Sequence, residues 1–393
     1  MRTGPNGMTE PEAGQEAGEL KKQIEKLERY IGNYYQDFSK MRWDKWNYED
    51  GCILIAAIQL YEATGNAVFR DFVLEYLDRY ITEEGDIRYY NREEYQLDNV
   101  APGRAVIFAY EQTGREKYRL AMELLMRQLD GQPRIKGGNF WHKKIYPHQV
   151  WLDGLFMAQP FYAAYDTKFG GEVRYVDITD QFALVRKHMF CPDKGLFYHG
   201  YDESRSAFWA DPETGCSAGF WLRSMGWFLM ALVDTMEEMN SWSYDYYRQL
   251  LDSYKEGIRG ILTYRDRESG LFFQVPDRGD IPGNYTETSG SAMVAASILK
   301  ACRLKVLLAE KYRETGEGIL EAIIERKLTE KNGVLTLEGN CSVAGLGPDQ
   351  GRRDGSIAYY LSEPVTADDK KGVAAVFMAY AQYRKLCACT DMQ

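Results

Sequence analysis

The chain repeats one pattern six times: a glycine opens an apolar, helix-like run, and polar residues stand just before it. The six glycines are Gly51, Gly103, Gly154, Gly226, Gly290 and Gly372. A repeated unit of this kind cannot bury its apolar face alone, so like units stack around a shared core. Six units in one chain predict a ring, with the polar residues before each glycine gathered at one mouth.

A second helical pattern follows several of these runs. Residues 67–81 and 115–129 carry apolar residues at helical spacing, and each stretch comes just after a glycine suited to ending a helix. Short alternations of apolar and aromatic residues at 85–93, 194–202 and 269–277, and again at 332–340, indicate small hairpins. We predict an all-α fold, an (α/α)6 barrel or six-hairpin toroid with short β-hairpins on the rim. An open α-solenoid is the alternative, and the lack of alternating buried strands disfavours a doubly wound α/β fold.

The N-terminal segment differs in composition from the rest of the chain. Residues 1–19 are polar and rich in Gly, Pro and Glu, so we expect a disordered tail followed by a single barrel domain over 20–393. The segment has no apolar core typical of a signal peptide, and no apolar run is long enough for a membrane span. The seven cysteines are scattered, without a CxxC pair. These features predict a cytoplasmic protein with no membrane partner, and a net charge of −10 without a basic stretch argues against nucleic acid.

The densest group of chemically useful residues lies at 140–154, where two tryptophans and two histidines, including His142, precede Asp153. A carboxylate beside Trp151 is poorly solvated, which favours the protonated form that a general acid needs. The alternative is that Asp153 only caps the helix headed by Gly154. Asp98 holds the corresponding place in the previous repeat, and two carboxylates at one mouth can divide acid and base work. A turn or cap role is again the alternative.

A tryptophan–arginine–tryptophan group forms a further candidate. Arg223 stands between Trp221 and Trp227 in the stretch WLRSMGW. A buried arginine needs a partner, and this arrangement suits a planar carboxylate or a sugar ring. A structural ion pair stacked on tryptophan is the alternative.

Three more residues are candidates for contacts to a ligand. His199 lies in a predicted rim hairpin and could donate a hydrogen bond, while Tyr359 and Tyr360 precede the sixth inner helix and could form a wall. Ordinary rim packing explains the tyrosines equally well. Four histidines without HxH or HExxH spacing predict no metal site. The chain also has no Walker A, GxGxxG or GxSxG pattern, which disfavours nucleotide and serine-hydrolase chemistry.

Several of these motifs together resemble a known family. HQVWLDGLFMAQPF, WLRSMGW, ETSGSAM and YYLSEP with DDKKGVAAVFMA are similar to glycoside hydrolase family 105, the unsaturated rhamnogalacturonyl hydrolases. The resemblance runs from about Trp46 to the C-terminal helix. The related unsaturated glucuronyl hydrolases share the same barrel and paired aspartates. The resemblance implies an (α/α)6 barrel that needs no metal or organic cofactor and removes a 4,5-unsaturated uronic acid from oligosaccharides made by polysaccharide lyases.

The resemblance also implies a reaction and a set of site residues. An aspartate protonates C4 of the enol ether, water adds at C5, and the resulting hemiketal collapses to release the next sugar. Asp153 matches the general acid/base, and Asp98 matches the aspartate that contacts substrate hydroxyls. Matches to substrate-site positions are His142, His199, Trp221, Arg223 and Trp227. From the residues themselves we add Trp151, Tyr359 and Tyr360, and we assign Arg223 to the uronate carboxylate on the basis of charge.

The predicted function is removal of an unsaturated galacturonic acid from rhamnogalacturonan or pectin fragments. An unsaturated glucuronyl hydrolase acting on glycosaminoglycan or plant-gum fragments is one alternative, and a non-catalytic sugar-binding barrel is another. A barrel-type epimerase would use paired histidines as acid and base, whereas the spacing here favours aspartates. The sequence carries no signal for an oligomeric state.

Overall fold

Six helices stand side by side in a closed inner ring, each contacting the next and the last contacting the first. They are α2 (Tyr48–Thr64), α4 (Gly103–Thr113), α6 (Leu152–Tyr165), α8 (Leu222–Glu238), α10 (Thr288–Arg303) and α13 (Lys370–Asp391). The computed structural model describes residues 10–240, 243–347 and 351–391. Each of the six repeated glycines lies in the first five residues of one inner helix. The predicted (α/α)6 barrel is confirmed.

The outer ring consists of helices that pack on the outside of the inner ones. Five of them follow their inner partners in the chain: α3 (Ala67–Tyr80), α5 (Glu116–Asp130), α7 (Tyr175–Met189), α9 (Tyr244–Leu262) and α11 (Ala309–Arg326). The sixth place is taken by α1 (Glu10–Tyr34), which contacts α11 and packs Tyr30 and Tyr34 against Phe377 of α13. Residues 1–9 of the predicted tail lie outside the described residues, and the disorder of the tail stays a prediction.

The repeated glycines are required because neighbouring inner helices approach each other closely at the mouth. A Cβ built on Gly290 would lie 2.5 Å from Cγ of Leu222, and one on Gly51 would lie 2.8 Å from Cγ of Pro102. Both distances are too short for any side chain, so the close approach of the helices selects glycine at these positions. The repeated glycines in the sequence therefore correspond to places where the ring is closely packed.

Ion pairs join the last inner helix to the first. Lys370 pairs with Asp50, and Nζ of Lys371 lies 2.8 Å from Oε1 of Glu49. Asp50 is fully buried and also accepts a hydrogen bond of 3.0 Å from the Tyr76 hydroxyl. The polar residues before the first and sixth glycines thus close the ring, and breaking such a buried pair is costly because one charge is left alone.

The rim carries four two-stranded antiparallel pairs. The pairs are β1 (Gln149–Trp151) with β4 (Gly200–Asp202), β2 (Phe190–Cys191) with β3 (Leu196–Phe197), β5 (Leu328–Lys331) with β6 (Val334–Leu337), and β7 (Asn340–Cys341) with β8 (Val365–Thr366). The predicted hairpins near 194–202 and 332–340 are present. The segments 85–93 and 269–277 instead take part in single bridges, Ile81–Ile87 and Phe273–Thr286. The short helix α12 (Ile357–Ser362) completes the rim.

Among the described residues, no helix combines the length and the apolarity needed to cross a membrane.

Candidate active site

A pocket of about 340 Å³ opens where the inner helices begin. Its walls come from the segments that precede α2, α4, α6 and α13. Four of the predicted site residues line it, namely Asp98, His142, Trp151 and Asp153. The ring therefore gathers the polar residues before several glycines at one mouth, as the repeat predicts.

Asp153 projects from the first turn of α6 toward a buried histidine. Its Oδ2 lies 3.3 Å from Nε2 of His199, and the Asp153 side chain is 14% exposed. Among the described residues, neither atom makes a hydrogen bond, so the two groups are close to each other without a hydrogen bond between them. The N-cap residue of α6 is Trp151, and no side chain caps the helix. The structure thus favours a chemical role for Asp153 over the helix-cap interpretation.

His199 is held on its other side by Tyr360. The Nδ1 atom lies 2.9 Å from the Tyr360 hydroxyl, and both side chains are completely buried. The imidazole also lies between two indoles, with ring centroids 5.7 Å from Trp151 and 4.8 Å from Trp221. His199 is therefore a buried neighbour of Asp153 whose ring is held by Tyr360, and its hydrogen bond to a substrate stays a prediction.

Asp98 sits in a different electrostatic environment from Asp153. Its Oδ2 lies 2.6 Å from Nζ of Lys143, and its Oδ1 lies 3.6 Å from Nε2 of His142. Burial alone would raise the pKa of Asp98, but the Lys143 ammonium and the His142 ring lower it below its usual value. Burial lowers the pKa of His142 to about 4, so this ring is neutral near pH 7. Asp98 is therefore an ionised carboxylate with a cation attached.

Flat rings form one wall of the pocket. Trp151 stacks on His142 at a centroid distance of 4.4 Å and on Tyr146 at 4.9 Å, with interplanar angles of 22° and 16°. The indole nitrogen of Trp151 donates to Oε1 of Gln149, which holds the ring in place. A rigid aromatic face of this kind suits one side of a sugar ring.

Arg223 and Trp221 lie behind the pocket wall and do not line it. The Arg223 guanidinium is 4.7 Å from the Trp221 ring and donates to the Cys341 carbonyl at 2.5 Å and to Oγ of Ser289 at 3.2 Å. The whole Arg223 side chain is 1% exposed. The stacking predicted for this pair is present, but these contacts are with the protein.

Three other predicted contact residues also face the protein interior. Trp227 packs against Phe156 in the core at a centroid distance of 4.5 Å, because it lies more than one turn into α8 and points away from the mouth. The Tyr359 hydroxyl accepts a hydrogen bond from the Gly345 amide at 2.9 Å. Tyr360 supports His199. Direct contact of these side chains with a sugar, as the sequence predicts, is not what the described pocket offers.

The sequence interpretation missed all of the cations that line the pocket. Those that line the pocket are Arg42, Lys45, Lys143 and Arg353. Lys143 directly follows His142, a predicted site residue, so its position in the sequence could have predicted that it lines the pocket. Arg42 and Lys45 precede α2, and Arg353 precedes α13, and nothing in their local sequence places them beside Asp153.

A second cavity of about 240 Å³ lies at the opposite end of the barrel, between the C-terminal parts of α2, α4 and α8. Most of its charged lining residues form ion pairs, such as Arg104 with Asp234 at 2.6 Å and Glu62 with Lys385 at 2.5 Å. The mouth instead joins an aromatic wall to Asp153 and Asp98, so we take it as the candidate active site. Among residues 10–240, 243–347 and 351–391, no group of three His, Cys, Asp or Glu side chains is arranged to hold a metal ion.

Comparison with known proteins identifies the family of this chain. The family model described as Glycosyl Hydrolase Family 88 matches residues 23–387. The solved structure of a glycoside hydrolase from family 105 of C. acetobutylicum ATCC 824 is 38% identical, with a TM-score of 0.86, and the match covers 92% of this chain and 99% of that one. The chain belongs to the family 88/105 glycoside hydrolases. The resemblance inferred from the motifs is confirmed.

Two other relatives complete the comparison. The 24.9 kDa protein in the picA locus of Rhizobium radiobacter is 39% identical over 231 residues, which are 58% of this chain and 97% of that protein. The unsaturated glucuronyl hydrolase of Bacillus sp. GL1 is 16% identical, with a TM-score of 0.62 over 87% of each chain, and shares the fold. This family 88/105 member is accordingly a glycosidase.

Proposed function

We propose that this family 88/105 enzyme removes a 4,5-unsaturated galacturonic acid from the non-reducing end of rhamnogalacturonan or pectin fragments. The observation that carries the proposal is the pair of unlike carboxylates at one pocket. Asp153 faces the buried ring of His199 among aromatic side chains, whereas Asp98 is ionised beside Lys143. Two carboxylates whose environments differ can take different roles in acid–base chemistry.

In the proposed reaction, Asp153 donates its proton to C4 of the enol ether, and the C4=C5 electrons form the new C–H bond. Positive charge develops at C5 and is shared with the ring oxygen. Water then attacks C5 and returns a proton to the Asp153 carboxylate, and the hemiketal collapses with release of the next sugar. Asp98, held ionised by Lys143, accepts hydrogen bonds from substrate hydroxyls and orients the ring.

The substrate carboxylate needs a cation that reaches the pocket. Arg353 and Trp151 flank Gly345, since Nη1 of Arg353 and Cη2 of Trp151 each lie 3.6 Å from a Cβ built on that glycine. Arg223 lies behind the wall. Arg353 is therefore the better placed of the two arginines to pair with the uronate.

A second candidate is an unsaturated glucuronyl hydrolase acting on acidic glycosaminoglycan fragments. Arg42 and Lys45 are exposed at the edge of the pocket and would suit a negative charge on the leaving sugar.

The free state of all seven cysteines supports the proposal that either reaction takes place in the cytoplasm, on imported fragments.

The decisive experiment follows the ultraviolet absorbance of the conjugated C=C–carboxylate group. We expect the purified protein to remove this absorbance from a lyase-generated unsaturated rhamnogalacturonan disaccharide. Loss only with unsaturated glucuronyl disaccharides would replace the first candidate by the second. Binding of these sugars without any loss of absorbance would contradict both and leave a sugar-binding barrel.

The pH dependence of the reaction should respond to Lys143. In wild type the pKa of Asp98 is depressed, so Asp98 stays ionised until the pH falls below its usual value of 3.8. In Lys143→Met the burial effect dominates, and we expect the acid limb of kcat/KM to move up by about one pH unit or more.

Lys45→Met provides the graded control, because Lys45 has a weaker effect on Asp98 and should shift the limb less. Lys143→Met should also change how the stability of the fold depends on pH. Wild-type Asp98 contributes stability above pH 3.8, whereas in Lys143→Met the ionisation of Asp98 costs stability as the pH rises. An acid limb that does not move in Lys143→Met would show that Asp98 is not the group that must be ionised.

A further inference from the structure

His199 has a group that can donate or accept a hydrogen bond beside each ring nitrogen, hydrogen-bonded at Nδ1 and close by without a hydrogen bond at Nε2. Nε2 faces Oδ2 of Asp153 at 3.3 Å, and Nδ1 is 2.9 Å from the Tyr360 hydroxyl. His199 and Tyr360 are both 0% exposed, so neither is a surface that a substrate touches. Any influence of Tyr360 on the reaction must therefore pass through His199 to Asp153.

We propose that Tyr360 is a positioning residue that lets His199 change tautomer as Asp153 gains and loses its proton. This rests on the proposed function, in which Asp153 acts first as an acid and then as a base. A neutral imidazole carries one proton on one of two nitrogens. It can serve both states of Asp153 only if its far nitrogen has a partner that also changes role.

The two states can be written atom by atom. When Asp153 is protonated, its O–H donates to Nε2 of His199, and the Nδ1–H of the ring donates to the Tyr360 oxygen. When Asp153 has given its proton to the substrate, Nε2–H donates to the carboxylate, and the Tyr360 O–H donates to bare Nδ1. The His199 ring carries one proton and the Tyr360 oxygen carries one proton in both states, so the pair neither gains nor loses a proton. Tyr360 keeps its own proton, and pocket water takes up the proton that leaves Nδ1 and supplies the one that binds Nε2.

Tyr360 has the features that such a partner needs. Burial raises the pKa of its phenol well above the usual value, so the hydroxyl keeps its proton. Ser217 is a second hydrogen-bond neighbour of that hydroxyl and can accept when Tyr360 does not donate to His199. The ring is clamped by parallel stacking on Trp221, and its backbone carbonyl accepts from Gln274 at 3.2 Å. Only the O–H bond has to rotate.

Tyr360→Phe should therefore penalise one state of Asp153 more than the other. Without the hydroxyl, Nδ1–H is buried with no acceptor, which disfavours the state in which Asp153 is protonated. The acid then loses its proton at lower pH. The other titratable groups around the pair are Asp98, His142 and Lys143 at the pocket wall and Tyr359 and Asp354 near Tyr360, and the substitution leaves them in place.

The kinetic test compares Tyr360→Phe with wild type on the substrate that wild type turns over. We expect the alkaline limb of kcat/KM to move down by about one pH unit, turnover on that limb to fall about tenfold, and KM to stay within about twofold. Ser217→Ala should move the limb in the same direction by less. A rate lowered equally at every pH would indicate a structural role only and would overturn the proposal.

The control is Tyr254→Phe, which removes an equally buried hydroxyl that lies 3.3 Å from Oγ of Ser297, on the outer helix α9. We expect wild-type kinetics and an unmoved limb for this variant. A shift as large as that of Tyr360→Phe would mean that loss of any buried hydroxyl produces the effect, which would contradict the proposal.

A spectroscopic test does not depend on turnover. In ¹⁵N-histidine-labelled wild type, the His199 signals are assigned by their absence in His199→Gln. As Asp153 gains its proton with falling pH, Nδ1 of His199 should gain a proton and Nε2 should lose its proton. In Tyr360→Phe Nδ1 should stay unprotonated, and in Asp153→Asn the transition should vanish. One unchanged tautomer in wild type would overturn the tautomer change, even for an active enzyme. If wild type cleaves no unsaturated uronide, the proposed function fails while the spectra still decide the pairing.

Discussion

Asp153→Asn should lower kcat on the unsaturated disaccharide by about 10³-fold or more while the barrel stays folded. The substitution keeps the shape of the side chain and removes only its ability to give and take a proton. General acid–base catalysis by one positioned group contributes about 10²–10⁴-fold, and Asp153 is asked to act in two steps. Rates are read from the loss of ultraviolet absorbance, and circular dichroism reports the fold.

A matched control lies on the rim. Asp211 is exposed and accepts hydrogen bonds from the amides of Glu213 and Thr214 at 2.9 and 2.7 Å. An asparagine can accept the same bonds, so Asp211→Asn should retain wild-type activity. If Asp153→Asn kept more than about a tenth of wild-type kcat, Asp153 could not be the acid that protonates C4.

Gly260→Ala should destabilise the barrel by about 3 kcal/mol or more. A Cβ at this position in α9 would lie 1.7 Å from the carbonyl oxygen of Gly195 and 2.6 Å from its carbonyl carbon. The obstacle is backbone, in the turn between β2 and β3, where Gly195 has a φ of +65° and its amide donates to the Cys191 carbonyl at 2.8 Å. No side chain can move aside to relieve the overlap.

The same substitution should also affect catalysis. The displaced hairpin leads directly into His199, so a shifted β3 would move the partner of Asp153. We expect a lower unfolding temperature by circular dichroism together with a lower kcat.

Gly318→Ala is the contrasting variant, because the nearest atom to its Cβ is the flexible end of Arg265, Nη2 at 3.4 Å. There the alanine should stabilise helix α11 by about 0.5–1 kcal/mol. Equal unfolding temperatures for Gly260→Ala and wild type would show that α9 and the hairpin can separate without cost.

The repeated glycines allowed the barrel to be predicted from the sequence. Gly226 and Gly290 stand where α8 and α10 touch, and Gly51 stands against Pro102 at the start of α4, so contacts that close the ring select glycine at these repeats. The position of Asp98 and Asp153 at the same mouth could be predicted for a related reason. Both directly precede or open an inner helix, and a closed ring of parallel inner helices places all such positions at one mouth.

The positions of Trp227 and Arg223 could not be predicted from the sequence, because they depend on the orientation of each side chain around α8 and on contacts with residues far away in the chain. Trp227 comes six residues after Trp221, which turns it by about 240° around the helix and into the core against Phe156. Arg223 lies behind the wall because the Cys341 carbonyl and Ser289 accept its hydrogen bonds there.

The sequence by itself determined the number of helical hairpins and the end of the barrel at which Asp98 and Asp153 lie together. Both features depend on the local pattern of a glycine followed by an apolar run, and this pattern recurs in each of the six repeats. Only the tertiary structure decided that α1 fills the sixth outer place and that Lys143 keeps Asp98 ionised. It also decided that Tyr360, which is 161 positions away in the chain, meets His199. Such pairings depend on how rim loops from distant repeats pack together, and no periodic pattern encodes that packing.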